Sequence, residues 1–326
     1  MFFEKATTGV HGAGPYVLTI IAVILGYAVL GQIPLSAVMY YQMTQDTSIG
    51  ISAMAEFGET MDFSIFNISS NFGFFLMISI FIITLLVFVL CIRYIHRIPL
   101  RRLVTPLATV DWRKVFWGFA VWLVIGVVLE GIMYLRDPSM YTFSFSGGPF
   151  IVLVLMSIFL LPLQTSCEEL FFRGYLMPGI GLLARNKWVP LIVTSILFGL
   201  VHGMNPEVEK FGFWTMQFYY ISAGLFLGLI TILDDSLELA LGVHAATNIF
   251  GATLLSFEGS VLQTGTLFSV SSINPLLMTA GFYVSAVLFV LMAAKKYNWP
   301  GYTRLMEPVG QYEDKNNNNV TDQLIP

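Results

Sequence analysis

Charge is what this chain has least of: of 326 residues, 16 are Lys or Arg and 20 are Asp or Glu, 11% together, where an ordinary soluble domain carries about 25%. With 56% hydrophobic residues and a mean hydropathy of +0.76, that shortage excludes a soluble globular chain and points to a polytopic membrane protein. A net charge of −4 spread over loops leaves no surface for nucleic acid or another strongly anionic partner. Cysteine is nearly absent as well. Cys91 and Cys167 both lie in or beside apolar runs, so no disulfide framework is available and each reads as a small buried hydrophobe. Three motifs are missing: His-Glu-x-x-His for a zinc peptidase, a Gly-x-Ser-x-Gly elbow for a serine hydrolase, and the internal repeat of a transporter built from two halves.

What is present is a succession of apolar runs. The first, from about Pro15 to Tyr41, is too long for a signal-peptide core and lacks a small-x-small cleavage site, so it reads as a retained span. Further runs cover Phe72 to Ile92, Val115 to Leu135, Phe150 onward, Val189 to Gly203, Phe213 to Leu233, Leu237 to Ser256, and Pro275 to Ala294. The expected fold is therefore all-α, a polytopic membrane protein of about eight transmembrane helices with the active site inside the bundle. Arg93, Arg97, Arg101, Arg102, Arg113 and Lys114 place their loop in the cytoplasm by the positive-inside rule, and an even count of spans puts both termini there, in a plasma membrane. The acidic segment from Asp46 to Asp62 and the loop around Glu207 and Glu209 fall on the other side.

The expected divisions are an N-terminal three-span region (1–149), a catalytic core (150–256), a last span (257–298) and a polar, disordered tail (299–326). The stretch from Phe150 to Ala184 would make a helix of about 52 Å, longer than a bilayer core of about 30 Å. A bend is expected at Pro162 or at Pro178-Gly179.

Within that long run lies Cys167-Glu168-Glu169-Leu170-Phe171-Phe172-Arg173. A carboxylate or guanidinium near a membrane centre costs roughly 2.5 to 3.5 kcal/mol, so three together need compensation. Glu169 and Arg173 are an i, i+4 pair on one helix face and can brace each other, while Glu168 lies about 100° round the helix and is left free. Two later runs add polar groups at the same spacing. Phe198 precedes His202, and His244 precedes Asn248. His11 and His96 sit near membrane boundaries, where a solvated or headgroup role is expected. Such a set suits hydrolysis: Glu168 with His202 would activate water, and His244 with Asn248 would donate hydrogen bonds to a tetrahedral oxyanion. Ser166 and Cys167 are weaker nucleophile candidates, because no elbow surrounds them and the carboxylate pair would go unexplained.

Glu168-Glu169-x-x-x-Arg173, Phe198-x-x-x-His202 and His244-x-x-x-Asn248, in that order on successive apolar runs, resemble the motifs of the CPBP family of intramembrane proteases, which includes the type II CAAX prenyl endopeptidases and bacteriocin-processing or self-immunity proteins. The likeness covers roughly Phe150 to Ser256. It implies the division of roles already given, with a peptide or protein substrate in or near the bilayer. No cofactor is expected. The alternative is a zinc ion held by Glu168, His202 and His244 with water in the fourth position. Two other function classes stand beside the protease: a non-catalytic membrane scaffold or self-immunity factor, and a proton-coupled transporter, against which the missing repeat counts.

Overall fold

Apolar runs with no charged interruption can satisfy their backbone in lipid only as helices, and the computed structural model, which describes residues 1–310, is helical almost throughout. Among the described residues, six helices are long and apolar enough to cross a membrane: α1 (Ala13–Gln45), α3 (Ser70–His96), α4 (Trp112–Arg136), α5 (Gly148–Ala184), α8 (Phe213–Asp234) and α10 (Pro275–Tyr297). A short α2 (Ile51–Thr60) lies between α1 and α3. The two predicted spans that carry the histidines are helices but short ones. They are α6 (Trp188–Val201), with 14 residues, and α9 (Glu238–Thr253), with 16. At 1.5 Å per residue they reach about 21 and 24 Å, less than a bilayer core. Protein replaces lipid around α9, and most of its residues are buried. Its packing against α4 is close enough that a Cβ on Gly242 would stand 2.1 Å from the Val115 carbonyl oxygen.

The expected sites of a bend, Pro162 and Pro178-Gly179, both fall inside α5, which neither proline breaks. Its irregular stretch is a π-turn over Leu170–Leu176, directly after the two glutamates. Widening the helix there carries Arg173 and Tyr175 on the turn itself, and π-turns recur at functional sites.

Past α6, a single-turn helix α7 (Pro206–Phe211) leads into α8, and a small sheet gathers the loops at the same end of the molecule. Its order is β1 (Tyr141–Phe143), β3 (Phe268–Val270), β2 (Leu255–Phe257), with β1 antiparallel and β2 parallel to β3.

One core draws residues from all four divisions of the chain. Phe2 and Phe3, Phe88 and Ile92 of α3, Leu170 to Met177 of α5, Phe226 of α8, Leu239 of α9, Phe289 of α10 and Val309 all belong to it. Residues 299–310 are therefore not a loose tail: Val309 is buried, Lys187 forms an ion pair with Glu307 at 2.8 Å, and Arg304 lies 3.4 Å from Asp235. Long-range partners hold a segment that looks merely polar in sequence. The rest of the expected disordered tail, 311–326, lies outside the described residues.

Candidate active site

The motif helix α5 presents its two glutamates to different neighbours. Glu169 is fully buried, and its Oε1 accepts from Arg173 Nη1 at 2.7 Å and from His244 Nδ1 at 2.8 Å. Arg173, also fully buried, donates through Nη2 to the Gly224 carbonyl of α8 at 3.2 Å and sits under the Phe198 ring, 4.3 Å from its centroid. Gly224 is required at that crossing, because a Cβ there would stand 2.9 Å from Ser195 Cα of α6. The expected brace between Glu169 and Arg173 is thus present as a contact, and it reaches one residue further, fixing the imidazole of His244.

Glu168 is bound differently. Its Oε1 accepts from Gln164 Nε2 at 2.7 Å, and the Gln164 Oε1 accepts in turn from Asn248 Nδ2 at 2.8 Å. Its Oε2 is buried, makes no hydrogen bond, and lies 3.5 Å from His244 Nε2. The imidazole in direct contact with Glu168 is therefore His244, on α9. His202 reaches the same place by another route, at the C-terminal end of α6. The Phe198 ring lies 4.5 Å from the His202 ring and 6.0 Å from that of His244.

Hydrogen-bond partners settle where the protons sit. The Phe198 carbonyl, 2.7 Å from His202 Nδ1, can only accept, so Nδ1 carries the hydrogen and Nε2 of the neutral ring is a free acceptor. His244 Nδ1 faces a carboxylate and must likewise donate, so an N–H on its Nε2 exists only in the imidazolium form.

Three residues that the sequence reading passed over, Gln164, Tyr220 and Asn205, complete the surroundings together with Glu207. Gln164 sits one turn before Glu168, and an amide in an apolar run at i−4 from a free carboxylate was a local signal that could have found it. Tyr220 of α8 stacks on the His202 ring at 4.7 Å, and its hydroxyl contacts Asn205 Nδ2 at 3.2 Å and Glu207 Oε2 at 3.5 Å. Glu207, expected in a solvated loop, is buried. Its Oε1 accepts from Val261 N at 2.7 Å, and burial pushes its carboxyl above the ordinary range despite those hydrogen bonds.

The other two histidines lie away from the site. His11 is exposed, as expected. His96 is corrected: it is buried at the end of α3 rather than in a headgroup layer, and its ring nitrogens are held by Val10 O at 2.8 Å, Tyr175 Oη at 2.8 Å and Thr19 Oγ1 at 3.1 Å. Cys91 and Cys167 are free and buried. Among the described residues, no three of His, Cys, Asp and Glu are grouped so as to hold a metal ion. Glu168, His202 and His244 meet that finding with two of their imidazole nitrogens already committed, to Phe198 O and to Glu169.

Comparison with known proteins bears on the same segment. Residues 147–250 match the family model described as type II CAAX prenyl endopeptidase Rce1-like. The chain is also 33% identical over 203 residues to the uncharacterized protein YyaK of Bacillus subtilis (strain 168), covering 62% of this chain and 67% of that one. No solved structure matches.

Proposed function

The chain belongs to the Rce1-like family of type II CAAX prenyl endopeptidases, and from that premise we propose that it is an intramembrane endopeptidase using water activated by Glu168 and His202. The observation that carries the reading is the unpartnered Oε2 of Glu168, a buried carboxylate oxygen beside an imidazole in an otherwise apolar bundle. A buried acceptor with no donor is costly unless a ligand or water uses it.

Glu168 Oε2 and the bare Nε2 of His202 serve as the two acceptors for a water molecule. As the water oxygen attacks the scissile carbonyl carbon, its proton passes to this pair, and the carbonyl becomes a tetrahedral oxyanion. Asn248 donates to the oxyanion through the amide hydrogen not used by Gln164, and His244 donates through Nε2–H as an imidazolium. On collapse the C–N bond breaks, and the proton held by Glu168 and His202 moves to the departing amine. Glu169 holds the His244 ring in orientation through Nδ1. Two carboxylates, one guanidinium and one imidazolium sum to zero, which suits a cluster buried in protein.

Gln164 acts as a positioning residue. It aims Glu168 and Asn248 together, so base and oxyanion donor share one bridge. Metal-free hydrolysis is the reading we favour, because Asn248, a poor metal ligand, shares a helix face with His244, where a pair of oxyanion donors is needed. The substrate is a membrane-proximal or lipid-modified peptide, with prenylated CAAX peptides the first class to try. We also propose that the basic loop from Arg93 to Lys114 faces the cytoplasm. The contacts of Phe2 N and Arg304 with Asp235 support both ends of the described chain lying on that face.

The test compares peptide termini by mass spectrometry in cells carrying the wild-type protein or Glu168→Gln. Shortened membrane-protein chains should appear with the wild type alone, and identical terminal profiles would overturn the protease reading. For the metal, exhaustive chelation of purified protein should leave turnover intact. Stoichiometric zinc whose removal abolishes activity and whose return restores it would overturn the metal-free mechanism.

A further inference from the structure

The catalytic reading leaves a buried cluster unused on the far side of His202. His202 caps α6 directly after its last residue, Val201, and has lost the helix as a support: past it the chain turns through Gly203 and Met204, and Met204 is almost wholly exposed. A terminal imidazole tied by one bond, Nδ1 to Phe198 O at 2.7 Å, can still swing about that bond and move Nε2. The ring stacked on it, Tyr220, comes from the rigid middle of α8. Tyr220 is itself tied at its far end. Its hydroxyl meets Asn205 Nδ2 and Glu207 Oε2, and Glu207 is held in turn by Val261 N at 2.7 Å, in the segment between β2 and β3.

We infer that Tyr220 is the positioning residue for His202, and that Glu207 and Asn205 anchor Tyr220 by its hydroxyl. The inference rests on the reading of His202 as part of the water-activating pair for its catalytic consequence, but not for the geometry. Tyr220 presents a ring face to the imidazole and uses its hydroxyl elsewhere, so it acts by orientation and not by proton transfer. Two consequences follow. The phenyl ring matters more than the hydroxyl, and Glu207 couples the 258–264 segment to the orientation of the imidazole.

The chain has four histidines, few enough to follow one by one after labelling the imidazole Cε1 with carbon-13. His202 is assigned by the signal lost in His202→Gln. In the wild type the His202 signal should be single and narrow. In Tyr220→Ala it should broaden or split and change its titration, while Tyr220→Phe should leave a single signal with a small shift. Glu207→Ala should fall between them, and Glu207→Gln, whose Oε1 can accept from Val261 N while its Nε2–H donates to the Tyr220 hydroxyl, should stay near wild type. His244, held by Glu169, serves as the internal control for folding. If Tyr220→Ala leaves the position, width and titration of the His202 signal unchanged while the other three histidines are also unchanged, the inference is overturned. So it is if Tyr220→Phe is as disruptive as Tyr220→Ala.

Kinetics supply the second arm. Tyr220→Ala should lower kcat about 10- to 100-fold with little change in KM, as expected for a misplaced catalytic group, and Tyr220→Phe should recover most of it. A spectroscopic effect of Tyr220→Ala combined with full activity in Glu168→Gln would preserve the positioning role and sink the water-activation reading instead, so the two can fail separately.

Discussion

Two histidines of this chain, the buried His96 and the half-buried His202, sit in polar clusters among apolar helices, and their hydrogen bonds are completed to different extents. His96 donates from Nδ1 to the Val10 carbonyl, and its Nε2 faces the hydroxyls of Tyr175 and Thr19. With rings of Tyr16 and Tyr175 packed on it, every polar atom of that imidazole has a partner. His202 also spends Nδ1 on a carbonyl, yet no hydroxyl meets its Nε2, and nearby Glu168 has a buried oxygen with no hydrogen bond. A cluster that serves structure satisfies its donors and acceptors, because each buried polar atom left alone costs about 1 to 3 kcal/mol. A cluster that serves chemistry keeps some of them open for the reacting groups. Histidine content alone could not separate the two.

Breaking the open cluster should have the largest effect. Glu168→Gln keeps the bond from Gln164 feasible but cannot take a proton from water, so turnover should fall by about 10² to 10⁴ or more while the melting temperature holds. Substrate-independent unfolding scans alongside kcat measurements check both halves. An active Glu168→Gln enzyme would remove the distinction between the clusters.

Its neighbour should behave in the opposite way. Glu169→Gln leaves Arg173 and a charged His244 facing a neutral amide, and removing one partner of a buried pair costs roughly 3 to 5 kcal/mol. The expected outcome is a large drop in melting temperature in detergent or nanodiscs, with activity lost alongside it. Unchanged stability would show that Glu169 belongs with the open cluster.

Asn248→Ala should lower kcat by about 10² to 10³ with KM little altered, as for the loss of one oxyanion donor. A rise in KM alone would make Asn248 a substrate-binding group and leave the oxyanion to His244.

The smallest effect sharpens the comparison from the closed side. His96→Ala should destabilise by about 1 to 3 kcal/mol, through two stranded hydroxyls, and leave the kcat of the folded fraction unchanged. A fall in kcat at wild-type stability would mean that the Tyr175 end of the π-turn transmits to Glu168.

Legibility followed sequence separation. The pairs at i, i+4 could be read directly, since one helical turn brings Glu169 to Arg173 and Phe198 to His202 whatever the rest of the chain does. Contacts between distant residues could not. Gln164 meets Asn248 across 84 positions, His244 meets Glu169 across 75, and Tyr175 meets His96 across 79. For that reason the part played by Tyr220 was not legible, Glu207 read as one of a loop's charges, and His96 was assigned to the wrong environment. The π-turn was hidden for a related reason: no residue type enforces it, whereas the prolines that looked decisive are absorbed within the helix.

Composition and local spacing by themselves determined that this chain is an all-α, multi-pass membrane protein and that three short motifs carry its polar chemistry. Apolar length and helical period are properties of neighbouring residues, so they survive without knowledge of the fold. Tertiary structure decided that the histidine-bearing helices are short, with α9 enclosed by protein, and that residues 299–310 dock onto the core. It also decided that Glu169 orients His244 through Oε1, and that Oε2 of Glu168 and Oε2 of Glu169 are both buried without a hydrogen bond. Whether a buried polar atom is satisfied depends on what the other helices bring to it, and that is settled only when they pack.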